Sequence, residues 1–192
     1  MIRKLNRPMA ALAWFSALIG GLALVAVMLM TTVSVAGMSA SKLGRVLKKS
    51  YDTIVEPLLS IGPIPGETEM VEAGMAFIIF AFLPLVTLHK SHAEVAILSN
   101  FFGKAANRLI DFISDLLMFV VAAFLGWQHF LGLLDKMKYG ETTWILQFPV
   151  WWGYGAALFG AVIFVIVAAY CVLRSGEALM TGRKVLTSGA VH

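Results

Sequence analysis

Four histidines, eleven acids and one cysteine are the residues through which this 192-residue chain could do chemistry. A haem iron held between membrane helices needs axial ligands that meet at one level. His89 closes one long apolar run and His129 lies near the end of the next. Consecutive spans run antiparallel, so these two rings stand near opposite membrane faces. His92 falls in a loop and His192 is the last residue. His129, with Gln128 and beside Trp127, therefore reads as an interfacial or interhelical hydrogen-bonding group. The lone thiol, Cys171, can form neither an internal disulfide nor a cysteine-based metal cluster. That argues against disulfide-exchanging oxidoreductases. There is no His-x-x-x-His, no paired carboxylate within a span, no nucleophile elbow and no phosphate-binding glycine loop. No enzymatic activity and no cofactor is expected.

The acids are grouped. Glu67, Glu69 and Glu72 lead into one apolar run and Glu141 leads into another. Negative charge is favoured at helix starts by the helix dipole. The sharper reading of the same four residues is a site that docks a soluble partner. Arg108 and Asp111 are three apart and can pair on a helix. With Lys104 and Asp115 they form an interfacial charge cluster, or a contact with a partner subunit.

The elements that position these residues follow from composition. The chain is 59% hydrophobic and 14% charged, well below the roughly 25% charge of soluble domains. Four runs approach or exceed the ~20 residues that cross a bilayer, near residues 9–37, 70–88, 111–134 and 148–173. The first is too long for the h-region of a signal peptide and lacks a convincing cleavage site, so it is expected to be a retained anchor. Backbone in lipid must satisfy its own hydrogen bonds, so the spans are predicted to be helices, with a kink at Pro84. The fold class is an all-α integral membrane protein, a single membrane domain over 1–192. After the first span, Leu43, Val46, Leu47, Tyr51, Ile54, Val55, Leu58 and Leu59 mark one helical face. With its basic opposite side, the stretch of about 42–60 is predicted to be an amphipathic in-plane helix. A weaker pattern (Ile97, Leu98, Phe101, Phe102) suggests a short surface helix in the following loop.

Both termini and the central loop share one side of the membrane and carry nine cations, against six on the other, four of them in the in-plane helix. The positive-inside rule then makes the termini cytoplasmic. The formal net charge of +4 suggests no nucleic-acid partner, whereas the basic in-plane helix suits anionic membrane lipids. Small residues recur at four-residue spacing: Ala13, Ala17 and Gly21 in the first span, Gly153, Ala157 and Ala161 in the fourth. Such stripes let membrane helices approach closely. Trp144, Trp151, Trp152 and Tyr154 crowd the start of the fourth span, where amphipathic rings anchor depth in the headgroup layer. Pro149 suits a first helical turn, and Thr142 or Thr143 an upstream cap.

The order of residues in YGETTWILQFPVWWGYGAALFGAVIF resembles the final hairpin of the small membrane subunit of tripartite ATP-independent periplasmic (TRAP) transporters, the DctQ-like family. The matching positions are Glu141, Thr142, Thr143, Leu146, Pro149, Trp152 and Tyr154. PGETEMVEAGMAFIIFAFL is similar to the acid-led start of that family's second span, with Glu69 or Glu72 as the acid. LHKSHAEVAIL looks like its following loop, through His92 and Val95. The long basic stretch after span one departs from the shortest members. The resemblance implies a bacterial inner-membrane subunit that binds no substrate and braces a much larger, sodium-coupled membrane subunit. A periplasmic binding protein would deliver the substrate, usually an organic acid. Two other readings of the chain are a small haem-bearing or redox membrane subunit and a stand-alone tetraspan protein.

Overall fold

The computed structural model describes residues 2–48, 62–89 and 104–181. They form four helices: α1 (Ile2–Lys48), α2 (Glu67–Leu88), α3 (Lys104–Tyr139) and α4 (Trp151–Thr181). All four are long and apolar enough to cross a membrane. At 1.5 Å per residue, α2 has a length of roughly 33 Å and α1 roughly 70 Å. Only α2 is close to the ~30 Å thickness of a hydrocarbon core.

The helices outrun the apolar runs because intrahelical hydrogen bonds do not stop where the lipid does. α3 begins at Lys104, so Asp111 and Asp115 lie two to three turns inside it and do not open it. α4 continues past Leu173 to Thr181. Pro84 sits inside α2, buried, and the helix continues beyond it. The expected in-plane helix needs correction at its start: Lys42 and its successors through Lys48 prolong α1. Residues 49–61 lie outside the described residues. So do residues 90–103, which hold the suggested surface helix and the His92–Val95 pair.

α4 is at the centre. It packs against α2 and α3 and touches α1, while α1 packs mainly on α2. The side-chain register gives the directions. Gly20 meets Ala81, and Gly74 meets Val27, so α1 and α2 are antiparallel. Gly153 meets Ala73, and Gly160 meets Phe80, so α2 and α4 run parallel. Gly132 meets Tyr154, and Gly176 meets Phe112, so α3 runs antiparallel to α4. One buried cluster (Ala13, Leu88, Ile163, Val167, Tyr170, Cys171) joins α1, α2 and α4. A second (Ala122, Phe164, Ala168) ties in α3. The outward sides of α1 and α3 are apolar almost throughout, with Leu22, Met28, Leu29, Leu117, Phe124 and Trp127 all exposed.

Lipid tails are as apolar as leucine, so hydrophobicity does not drive these helices together; close packing must. Ala13, Ala17, Ala157 and Ala161 are buried in the seams, and Gly153 faces the Ala73 backbone. Gly21 only grazes Phe82. The tightest approaches between helices fall at two glycines that the four-residue stripes do not include. A Cβ on Gly20 would stand 2.7 Å from the Ala81 Cβ, and one on Gly160 would stand 2.9 Å from the Phe80 carbonyl carbon. Ser16 adds a buried hydrogen bond from its Oγ to the Ala81 carbonyl, 2.9 Å. The α1 seam is therefore Ala13, Ser16, Ala17 and Gly20, one helical face read at steps of three and four.

Candidate functional site at the hairpin end

Two ends of the bundle concentrate its polar groups. At the first, α2 and α4 begin and α3 ends. α3 stops at Gly140, whose φ of 60° favours glycine. The chain then makes a one-rung hairpin. Thr142 pairs with Pro149 in an antiparallel bridge. The Thr143 N–H donates to the Phe148 carbonyl (3.0 Å), and the Val150 N–H donates to the Glu141 carbonyl (3.0 Å). Thr143 Oγ1 accepts the Phe148 N–H at 3.3 Å, so this threonine caps the hairpin and not a helical turn. Gln147 takes a left-handed φ of 56° and returns its side-chain amide to the Trp144 carbonyl, 3.0 Å. Pro149 is spent on the bridge, so α4 starts two residues later, at Trp151. The Trp152 N–H then bonds back to the Pro149 carbonyl, 3.1 Å.

α2 reaches up and holds this hairpin. The two carboxylate oxygens of Glu69 accept successive N–H groups, Ile145 at 2.7 Å and Leu146 at 3.0 Å. Hydrogen bonds to an ionised acceptor are the stronger kind. The Leu146 side chain lies on Gly66, where an added Cβ would collide with it and where φ is +74°. Leu146 and Glu69 thus seat the hairpin on the first turn of α2. The stretches PGETE and ETTWILQFP, far apart in sequence, are in direct contact.

The remaining acids divide in two. Glu141 pairs with Lys136 at 2.6 Å, so it locks the end of α3 to the hairpin. Glu72 is exposed and Glu67 half-buried, both on the α2 rim. The aromatics divide as well. Trp144 is 93% exposed and Trp152 58%, and Trp151 meets Trp152 edge-on. Tyr154 turns inward, stacked on His129 with ring centroids 5.0 Å apart. His129 Nε2 lies 3.1 Å from the Tyr154 carbonyl oxygen, and its ring tilts against Phe80 at 5.2 Å. His129 therefore joins three helices near this end. His89 closes α2 at the opposite end, its Nδ1 3.0 Å from the Leu85 carbonyl oxygen.

The opposite end, where α1 starts and α4 finishes, holds charge that composition alone places at the surface. Asp115 and Arg174 are both buried, 7% and 8% exposed. The pairing of Phe112 with Gly176 puts them at the same level on facing helices. The Arg174 guanidinium also lies over the Tyr170 ring, 5.9 Å from its centroid. Tyr170 in turn donates its hydroxyl to Asn6 Oδ1 at 3.3 Å, which ties the start of α1 to α4. Arg108 and Asp111 lie one to two turns earlier on α3, each partly exposed.

A direct test of the Glu69 fork is its removal. Glu69→Ala leaves the Ile145 and Leu146 N–H groups without their acceptor. Amide exchange at those two positions is expected to rise by roughly an order of magnitude, with exchange in the helices unchanged. Mass-spectrometric exchange on the peptide covering 140–150 reads this out.

Four apolar helices, their seams closed by small residues and their charged groups gathered near the two ends, define a multi-pass membrane protein. A family model described as tripartite ATP-independent periplasmic transporters, DctQ component, matches residues 51–176, about two thirds of the chain. The chain belongs to that family and is a small component of a TRAP transporter. No curated protein and no solved structure matches it.

Proposed function

We propose that this chain is the non-catalytic brace of a sodium-coupled TRAP transporter in the bacterial inner membrane, with both termini cytoplasmic. It supports the large transport subunit and helps to dock the periplasmic binding protein that delivers an organic acid. The carrying observation is the closeness of α2 and α4. At Gly153 and Gly160 one helix lies against the backbone of the other, with a notional Cβ 2.9–3.1 Å from its neighbour. A seam that tight leaves no lane for a hydrated solute or its coupling ion between α2 and α4. Substrate and sodium sites then belong to the partner. The apolar outward sides of α1 and α3 supply broad surface for that partner and for lipid. A mobile transport unit needs a frame that does not move, and helices in close contact at Gly20, Gly153 and Gly160 suit one.

The hairpin end faces the periplasm in this topology. There Glu69 and Glu141 are engaged within the chain, whereas Glu67 and Glu72 remain for a partner. Arg108 and Asp111, at the cytoplasmic end, are the second candidate contact. Extraction in mild detergent tests the reading. The chain should copurify with one large multi-span subunit in fixed ratio. Recovery of the chain alone, in quantity and folded, would contradict it.

A further inference from the structure

The hairpin holds two apolar side chains out from the bundle, uncovered by the rest of the chain. Gln147 occupies a left-handed backbone conformation, which strains any residue other than glycine. The Glu69 fork, the Thr143–Phe148 pair and the Gln147–Trp144 bond fix the loop in that shape. At its tip stand Trp144, 93% exposed, and Ile145, 61% exposed. A rigid loop with an exposed tryptophan loses little entropy when that ring is covered, and tryptophan dominates the energetic centres of protein interfaces.

The charges around the tip distinguish between covers. Glu67, Glu69, Glu72, Asp135 and Glu141 surround it, against Lys136, already paired to Glu141, and Lys138, which lies near the Tyr139 ring. The α1 cations Lys42 and Arg45 stand two to three turns beyond Ser34, the residue that α1 sets against Ile64. They are thus roughly 12 Å or more past this level. A net acidic surround repels the anionic headgroups that attract basic segments. It complements a basic one.

We propose that Trp144 and Ile145 form a docking tip for the soluble binding protein, inserting into an apolar pocket rimmed by its Lys and Arg side chains. This rests on the docking role proposed above and names its anchor. Trp144 then acts as an interface residue, and its part as a depth anchor in the headgroup layer falls to Trp151 and Trp152.

The test uses the purified complex in phosphatidylcholine–phosphatidylglycerol vesicles, with the purified binding protein of the same transporter as probe. The sole native thiol of this chain, Cys171, is buried, so Ile145→Cys, in a complex whose large subunit has its exposed cysteines replaced by serine, takes a fluorophore selectively while Trp144 is retained. Iodide in the buffer is expected to quench the label, nitroxide headgroup lipids are not, and added binding protein should shield it from iodide. Trp144→Ala should weaken binding-protein affinity about thirty-fold, and Trp144→Phe should restore part of it. Quenching by nitroxide lipids with no effect of the binding protein would make the tip a lipid anchor and overturn the proposal. Loss of the large subunit from the Trp144→Ala complex would overturn it in favour of a bracing contact. Unchanged affinity with the large subunit retained would sink the tip alone and leave the bracing role standing.

Discussion

Gly160→Ala should destabilise the bundle far more than Gly155→Ala, although the two glycines lie on one helix little more than a turn apart. A Cβ at 160 would meet the Phe80 carbonyl carbon at 2.9 Å, the Phe80 Cβ at 3.0 Å and the Ala81 nitrogen at 3.1 Å. Two of those three are backbone atoms, which cannot swing aside as a side-chain tip can. Relief requires α2 and α4 to separate, and that loosens Gly153–Ala73 as well. Forced overpacking of this kind costs typically 1–3 kcal/mol, and the upper end is expected here. Gly160→Leu should exceed it and prevent recovery of folded protein. At Gly155 nothing lies within 4 Å of the added carbon. The only remaining term there is helix propensity, which favours alanine over glycine by up to about 1 kcal/mol. Gly155→Ala should therefore hold or raise the midpoint of unfolding. Thermal unfolding of the two variants in the same detergent makes the comparison. Equal midpoints would mean that α2 and α4 are not in backbone contact.

The second large effect is expected at the other end. Arg174→Leu leaves the buried Asp115 carboxylate without the guanidinium at its level. Two buried opposite charges at one level are expected to pair, and removing one member of such a pair costs about 3–5 kcal/mol, because the other stays desolvated. Asp115→Leu should cost a similar amount by stranding Arg174, offset slightly by its stacking on Tyr170. The double variant Asp115→Leu/Arg174→Leu should recover most of the loss, since an apolar pair of similar size fills the same space. The coupling in that double-mutant cycle is the quantity of interest. It should be large for Asp115 with Arg174 and small for Asp111 with Arg174. Unfolding curves for the four proteins suffice, and additive losses would show that the two buried charges do not sense each other.

These residues also show which parts of the molecule a linear reading reaches. The four spans were legible because each is a run of apolar residues with few charges. Their ends were not, because a helix persists beyond the lipid while its hydrogen bonds persist. Asp111 and Asp115, expected to open a span, are deep in α3 for that reason. Arg174 appears in sequence as one more cation after an apolar run. Its burial follows from α4 being covered by α2, α3 and α1 at once, which no pattern within α4 states. The seams were half legible. The Gly20–Gly21 pair offers two faces, and a strict four-residue step chooses Gly21. Ser16, at a three-residue step from Ala13, belongs to the face that uses Gly20.

The hairpin end was legible as two motifs and not as one site. The acids in the first turns of α2, and the Thr, Leu and Pro positions before α4 with the Trp at its start, carried the family resemblance. Nothing local says that Glu69 grips the backbone of residues 76 and 77 positions away. Pro149 misled in a specific way. It is compatible with a first helical turn, but the bridge to Thr142 claimed it first. Tyr154 was grouped with the tryptophans by neighbourhood, while one-residue steps around a helix turn it toward His129.

The central claim is that this chain supports transport without conducting the solute. Uptake into proteoliposomes, with the binding protein and a sodium gradient supplied, tests it most directly. The large subunit with this chain should accumulate substrate. The large subunit alone should fail, and this chain alone should move nothing. Full uptake by the large subunit alone would show that no brace is needed, and uptake by this chain alone would place the solute path among its own four helices.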